Sequence, residues 1–355
     1  MLLAVIDIGT VTARLALTQV DDGRIIKMVK FTEIVNLGEG VDASNRLLPD
    51  AINRCVSCVS SYVDHAKEQG VEAVVCTLTS AARDAQNAPD LGTALASLGI
   101  EPMVIPGEVE GALTFLGVSH DFIAHRILVA DSGGGSTELV VGAQLTEQHS
   151  DENDSDVKQS DIGSSSARQF DTKQVDISFV DSINLGCRRL TERFNLDTNH
   201  PSSSDVLSAH KLADQMISDT IQHAQRVSAA PELLVGVGGT ATSLISIRDQ
   251  LDPYDSSKVH LNHISLEEVQ RIEELLVSKT RKERENITGL QAKRAPVMLA
   301  GTILIEELMK NSGFSHLVVS ESDLLFGLAL TSAAVYQGKQ SPVIWEPILR
   351  HFDTK

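Results

Sequence analysis

Short apolar runs alternate along this chain with longer stretches in which apolar positions recur at helical spacing. Residues 4–17 read as two apolar strands around a polar turn, and 24–33 as a third strand. The spacing predicts a helix over 48–69, ended by Gly70, with Leu48, Ala51, Ile52, Cys55, Val59, Tyr62 and Ala66 on one face. A buried strand over 71–77, a short helix from 80 to 85, a strand over 102–105 and a helix over 107–118 follow. Further on, 176–185 reads as a strand, 186–194 as a helix and 206–227 as a long helix. A strand over 233–237 leads into a helix opened by Gly238 and running to about 247. Helices over 266–277, 297–309 and 324–336, with a strand over 317–319 before the last, complete an α/β pattern.

One block occurs twice. Ala4 to Leu17 (AVIDIGTVTARLAL) lines up with Leu128 to Val141 (LVADSGGGSTELVV): a strand, Asp-x-Gly, a turn of small residues, a second strand. Asp7 aligns with Asp131, and Thr12 with Ser136. Two copies so far apart imply duplicated lobes, each opening on the same hairpin. The expected division is a first lobe of residues 1–120 and a second of 121–355, with the helix at 324–336 packing back on the first.

Residues 146–174 break the pattern. They are rich in Ser, Asp, Glu, Gln and Lys, and read as a disordered acidic insert whose removal is expected to leave activity normal. The net charge of −18 argues against binding nucleic acid or an anionic membrane indiscriminately. The same acidity warns against a polyanionic substrate; if the cleft is basic, the charge must lie mostly outside it. The apolar N-terminus lacks a basic flank and carries Asp7, so no signal peptide is expected and the location is expected to be cytoplasmic. Cys55 and Cys58 fall on the apolar face of the predicted helix and read as core residues, not as a metal or redox pair.

The repeated turns suggest the chemistry. Glycines let backbone amides approach a phosphate, so Gly133, Gly134, Gly135, Ser136 and Thr137 form a candidate cradle, mirrored by Asp7, Gly9, Thr10 and Thr12. Asp131 and Glu138, on the two arms of one hairpin, are candidate Mg²⁺ carboxylates. Gly238, Gly239 and Thr240 open a helix after a strand, a further anion seat. Arg14, Arg83, Arg188, Arg189, Lys293 and Arg294 stand at element ends, where each could bind phosphate or form a salt bridge. Glu108 and Glu110 by position alone read as acids favoured at a helix N-terminus.

These blocks, with LGEGVD at 37–42, TSAARDAQN at 79–87, PGEVEGALTFLGV at 106–118, NLGCRRLTERF at 184–194 and GLQAKRAPVMLAGTIL at 289–304, resemble the exopolyphosphatase / guanosine pentaphosphate phosphohydrolase family. The resemblance implies two duplicated ribonuclease H-like lobes of the actin/sugar-kinase superfamily, with a cleft between them. It implies Mg²⁺-dependent release of orthophosphate from inorganic polyphosphate, or of the terminal phosphate of guanosine pentaphosphate, with Glu110 as the base on water. It also assigns Asp131 and Glu138 to the metal, and Arg83, with the two glycine loops, to phosphate; Arg14 joins the phosphate candidates from its own place beside the first turn. A homodimer is an open expectation. Val11, Ala112, Pro296 and Leu261 depart from the family pattern, at positions where Asn, Arg, Asp and Gly are usual. Two rivals stay in view: a kinase or ATPase of the same superfamily, and a sensor that binds polyphosphate or an alarmone without cutting it, which the Val11, Ala112 and Pro296 changes motivate.

Overall fold

The computed structural model describes residues 1–21, 24–144 and 175–352, so the insert expected at 146–174 lies outside the described residues. Two mixed sheets organise it. The first contains β1 (Leu2–Ile8), β2 (Thr12–Asp21), β3 (Arg24–Ile34), β4 (Ala73–Leu78) and β5 (Pro102–Val104). The second contains β6 (Arg126–Ser132), β7 (Thr137–Gln144), β8 (Val175–Ile183), β9 (Leu233–Val237), β10 (Asn262–Ser265) and β11 (His316–Val319). In each sheet the first strand pairs antiparallel with the second and parallel with the fourth, and the second pairs antiparallel with the third. The repeat seen in sequence is therefore a repeat of topology, and the chain has an α/β fold of two duplicated lobes. A short β12 (Arg350–His351) returns the chain to β4.

Hairpin register follows from the pattern. Antiparallel partners share a face of the sheet, and Asp7 lies opposite Arg14 as Asp131 lies opposite Glu138. The Pro49–Glu68 helix covers the first sheet with Ala51, Cys55, Val59, Tyr62, Val63 and Ala66, and the Tyr62 hydroxyl donates to Ala13 O at 3.0 Å. Cys55 is in this core and Cys58 is half-buried at its margin; all four thiols are free.

Two helices the pattern foresaw cross at the junction of the sheets. These are Gly107–Ser119 and Leu324–Tyr336. A Cβ on Gly327 would lie 1.8 Å from Leu113 O, and one on Gly117 would lie 2.2 Å from Asp323 O. Only glycine permits this approach of backbones, which brings Glu110, in the first turn of one helix, and Asp323, capping the other, to the same place. The last helix also packs against β1 and β2.

Periodicity missed a helix over Ala88–Ala96 and the strand β10. Pro89 and Gly92 disguise the first, and four residues are too few to show alternation in the second. Among the described residues, no helix is long and apolar enough to cross a membrane.

Candidate active site

A cavity of about 840 Å³ lies between the lobes where the two hairpin turns face one another. Gly9, Thr10 and Thr12 line it from the first turn, and Gly133, Gly134, Gly135 and Ser136 from the second. Both turns are held by their carbonyls. Gly133 O accepts from Cys187 N at 3.0 Å and Gly134 O from Arg188 N at 2.8 Å, while Gly135 O accepts from Arg189 Nε at 3.0 Å. In a trans peptide the next N–H points the opposite way, so the amides of Gly134, Gly135 and Ser136 face away from the Cys187–Arg193 helix, toward the cavity. The first turn repeats the device: Thr10 O accepts from Gly38 N, and Val11 O from Val35 N and Asn36 N, each at 2.9 Å. A third set of amides comes from Gly238, Gly239 and Thr240, where the Gly238–Arg248 helix starts and, among the described residues, no side chain caps it. The Arg294 guanidinium lies across that start, within 2.3 Å of where a Cβ on Gly239 would be. Among the described residues, no carboxylate pairs with Arg294.

Carboxylates gather opposite these donors. Glu110 lines the cavity and is 8% exposed. Arg83 Nη1 donates to Glu110 Oε2 at 2.6 Å, and its Nη2 donates to Ser136 Oγ at 3.2 Å. Burial pushes Glu110 up to about 7, against the pull of Arg83 and with help from Asp7 and Asp131. Burial likewise pushes Asp131 up to about 6, opposed by Arg14. Asp131 accepts a 3.2 Å bond from the Thr114 hydroxyl, and no cation lies within ion-pair distance among the described residues. Asp7 instead pairs with its register partner Arg14 at 2.7 Å, and Arg14 also reaches Asp323 at 2.9 Å. Burial opposes the charge on Arg14, but Asp7, Asp323 and Asp131 together raise its pKa. Burial would likewise raise Asp323, yet Lys30, 3.1 Å away, and Arg14 hold it below the usual carboxylate range.

Three predicted site residues do not line the cavity. Arg83 stands behind Glu110 and Ser136. Thr137 spends its hydroxyl on Leu185 O at 2.6 Å, because neighbours on a strand face opposite ways and it points away from Glu138. Glu138 is 1% exposed, accepts from Ser182 Oγ at 2.8 Å and lies 3.6 Å from Arg83 Nη2. Burial, Glu110 and Asp131 raise its pKa well above the carboxylate range. Of the other cations named from sequence, Arg188 and Arg189 sit behind the second turn. Lys293 makes a surface pair with Glu33 at 3.5 Å.

The cleft is not basic. Asp7, Glu110, Asp131, Glu321 and Asp323 line the cavity against Arg14, Lys30 and Arg294. Its own charge is acidic, and two of its carboxylates, Glu110 and Asp131, are pushed toward neutrality chiefly by burial, against the pull of Arg83 and Arg14. Lys30 and Asp323 were not singled out from sequence. Lys30 has the parity of Thr32, the register partner of Arg14, and that alternation was the available signal. Asp323 sits in no repeated block.

Val11 places its side chain in the second lobe's core, 2.6 Å from where a Cβ on Gly134 would be. Pro296 lies in the first turn of the Ala295–Ser312 helix, a position that suits proline. Leu261 has φ 60°, the left-handed region that glycine adopts more easily. Elsewhere, His210, Glu273 and Glu306 bring ligand atoms within 4.8 Å of one another. This group lies away from the cleft, and Lys310 Nζ is 2.6 Å from Glu306.

The sequence matches the model of the Ppx/GppA phosphatase family over residues 17–328. It is 31% identical over 348 residues to exopolyphosphatase 2 of Mycobacterium tuberculosis, covering 93% of this chain and 98% of that one. It is 25% identical over 340 residues to the guanosine-5'-triphosphate,3'-diphosphate pyrophosphatase of Photobacterium profundum, covering 95% of this chain and 59% of the relative. The crystal structure of the Aquifex aeolicus member of the Ppx/GppA family superposes with a TM-score of 0.71 at 25% identity, over 96% of this chain and 99% of that one. The chain belongs to the Ppx/GppA phosphatase family and is a phosphoanhydride hydrolase.

Proposed function

We propose that this enzyme releases orthophosphate from the ends of inorganic polyphosphate with the help of Mg²⁺. The observation that carries the reading is Glu110: a buried carboxylate, held by Arg83 at 2.6 Å and pushed by burial up to about 7, lining the cleft between the two glycine turns. A base is most useful when its pKa lies near the working pH. The terminal phosphoryl group sits between the Thr10–Thr12 and Gly134–Ser136 turns. The Arg294 guanidinium and the amides at 238–240 take the next phosphates. Glu110 accepts a proton from water, and Arg83 holds its carboxylate in place. Attack in line then expels the shortened chain, with positioning and charge neutralisation as the main sources of rate.

The residues present fit a divalent cation. Asp131 is a buried hard oxygen donor with no cation within ion-pair distance among the described residues, in a cleft whose described lining has more carboxylates than cations. Asp131 would hold the ion, with Glu138 behind it. When bound, Mg²⁺ would supply charge neutralisation on the phosphate oxygens. The domain division at 1–120 and 121–355 belongs to the same proposal, with the last helix returned to the first lobe, as its packing on β1 supports.

Guanosine pentaphosphate is a second reading, favoured by Tyr254, His260 and Phe326 in the cavity wall, where a base could stack. The test is phosphate release from short polyphosphate, long polyphosphate, guanosine pentaphosphate and ATP, each with and without Mg²⁺. Polyphosphate is expected to be cleaved fastest, and only with Mg²⁺. Preference for ATP would point to the ATPase reading, and tight binding without release would point to a sensor.

A further inference from the structure

Behind each phosphate turn lies the segment that holds its carbonyls: residues 35–38 for the first and the Cys187–Arg193 helix for the second. These two backing segments grip one another across the lobes. Arg189 Nη1 lies 2.5 Å from Asp42 Oδ1 and its Nη2 lies 2.5 Å from Asp84 Oδ2, both on the first lobe, while its Nε holds Gly135 O. Arg193 reaches the same Asp42 at 3.1 Å. Glu192 accepts from Gly40 N at 3.2 Å, and Arg188 donates to Asn36 Oδ1. The side chains of Arg189 and Asp42 are 15% and 17% exposed, so this is no solvated surface pair. Between this clasp and the turns, the structure leaves a space of about 10 Å³. That is room for at most about one water, so no phosphate passes behind the terminal position. A Cβ on Gly135 would lie 2.4 Å from Ser80 Oγ and 2.7 Å from Thr10 Oγ1, so the lobes already touch there.

We infer that Arg189 is a positioning residue, whose clasp on Asp42 and Asp84 sets the spacing of the two phosphate turns and closes the cleft behind the terminal phosphate. This rests on the reading of those turns as the phosphate seat. Arg189 itself lies outside the cavity that holds the reacting groups. Its planar fork spans two carboxylates and a carbonyl at once, which a lysine ammonium does not reproduce. With the clasp broken, the lobes spend most of their time parted, and substrate must select the closed fraction. Apparent affinity falls by that fraction, while the bound complex reacts as before.

The test uses the full chain with Mg²⁺ and polyphosphate. Arg189→Ala is expected to raise KM by about tenfold or more, with kcat changed less than about threefold. Arg189→Lys should fall between it and the parent. Asp84→Ala alone should raise KM, and adding it to Arg189→Ala should add little, because both remove one interaction. Small-angle scattering should show a larger radius of gyration for Arg189→Ala than for the parent. If Arg189→Ala does not fold, Asp42→Asn with Asp84→Asn carries the same test. Unchanged KM and unchanged radius in the folded variants overturn the inference. So does a loss confined to kcat or to melting temperature. A parent that releases no phosphate from polyphosphate would instead sink the functional reading.

Discussion

Arg83→Ala isolates what the structure says Arg83 does. Its guanidinium donates to Glu110 at 2.6 Å and to Ser136 Oγ at 3.2 Å without lining the cavity, so on the proposed reading it acts on the base. Two charges whose centres are about 4 Å apart attract by about 4 kcal/mol at an effective dielectric of about 20. That corresponds to about three pKa units, and partial solvation of the gap left by the side chain brings the expected rise to about two. Glu110, already at about 7 through burial, then titrates near 9. A base acts when deprotonated, so its ionised fraction at pH 7 drops from about half to about 1%, and kcat/KM falls about 50-fold. The deficit should shrink to a few-fold at pH 9. The assay is the pH profile of kcat/KM for polyphosphate at fixed free Mg²⁺. Arg83→Lys, which keeps the charge, should leave the acid limb within about one unit of the parent's. An equal loss at every pH, with the limb unmoved and KM raised, would refute the reasoning and make Arg83 a phosphate ligand.

Other outcomes follow from the same geometry. Asp131→Asn should raise the Mg²⁺ concentration for half-maximal rate by about tenfold or more, read from a metal titration, since it removes a charged ligand from the set. In chelator, Asp131 and Glu110 bind protons more tightly folded than unfolded. Stability should therefore fall as pH rises from about 4 to about 7, and Mg²⁺ should raise the melting temperature more at pH 8 than at pH 5. Leu261→Gly should stabilise the protein by about 1 kcal/mol, seen as a rise in melting temperature of about 2 °C with unchanged rate, because the left-handed backbone at φ 60° suits glycine and the leucine is 40% exposed.

The sequence made the hairpins and their glycine turns legible because a repeated block constrains both copies at once. Asp7 opposite Arg14 and Asp131 opposite Glu138 follow from the number of residues between them. Which face each residue takes was less visible. Thr137 and Glu138 are neighbours and must diverge, and only the packing of the Gly107–Ser119 helix decides that Glu138 goes toward Glu110 and Thr137 to Leu185. Asp323 and the Arg189 clasp depend on contacts across the whole chain. Arg14 and Asp323 are 309 residues apart, and Arg189 and Asp42 are 147 apart, so local pattern carries no trace of either. Glu110 looked like an ordinary acid of a first helical turn. Its burial is what distinguishes it from exposed Glu108, and burial there comes from a helix crossing fixed by Gly117 and Gly327.

The most direct test of the central claim is Glu110→Gln, measured for polyphosphate binding and for phosphate release in the presence of Mg²⁺. The account predicts that release falls by about 10²–10⁴-fold while the dissociation constant stays within about threefold of the parent's, since an amide fills the same space but takes no proton. A variant that still releases phosphate at near the parent's rate would contradict it.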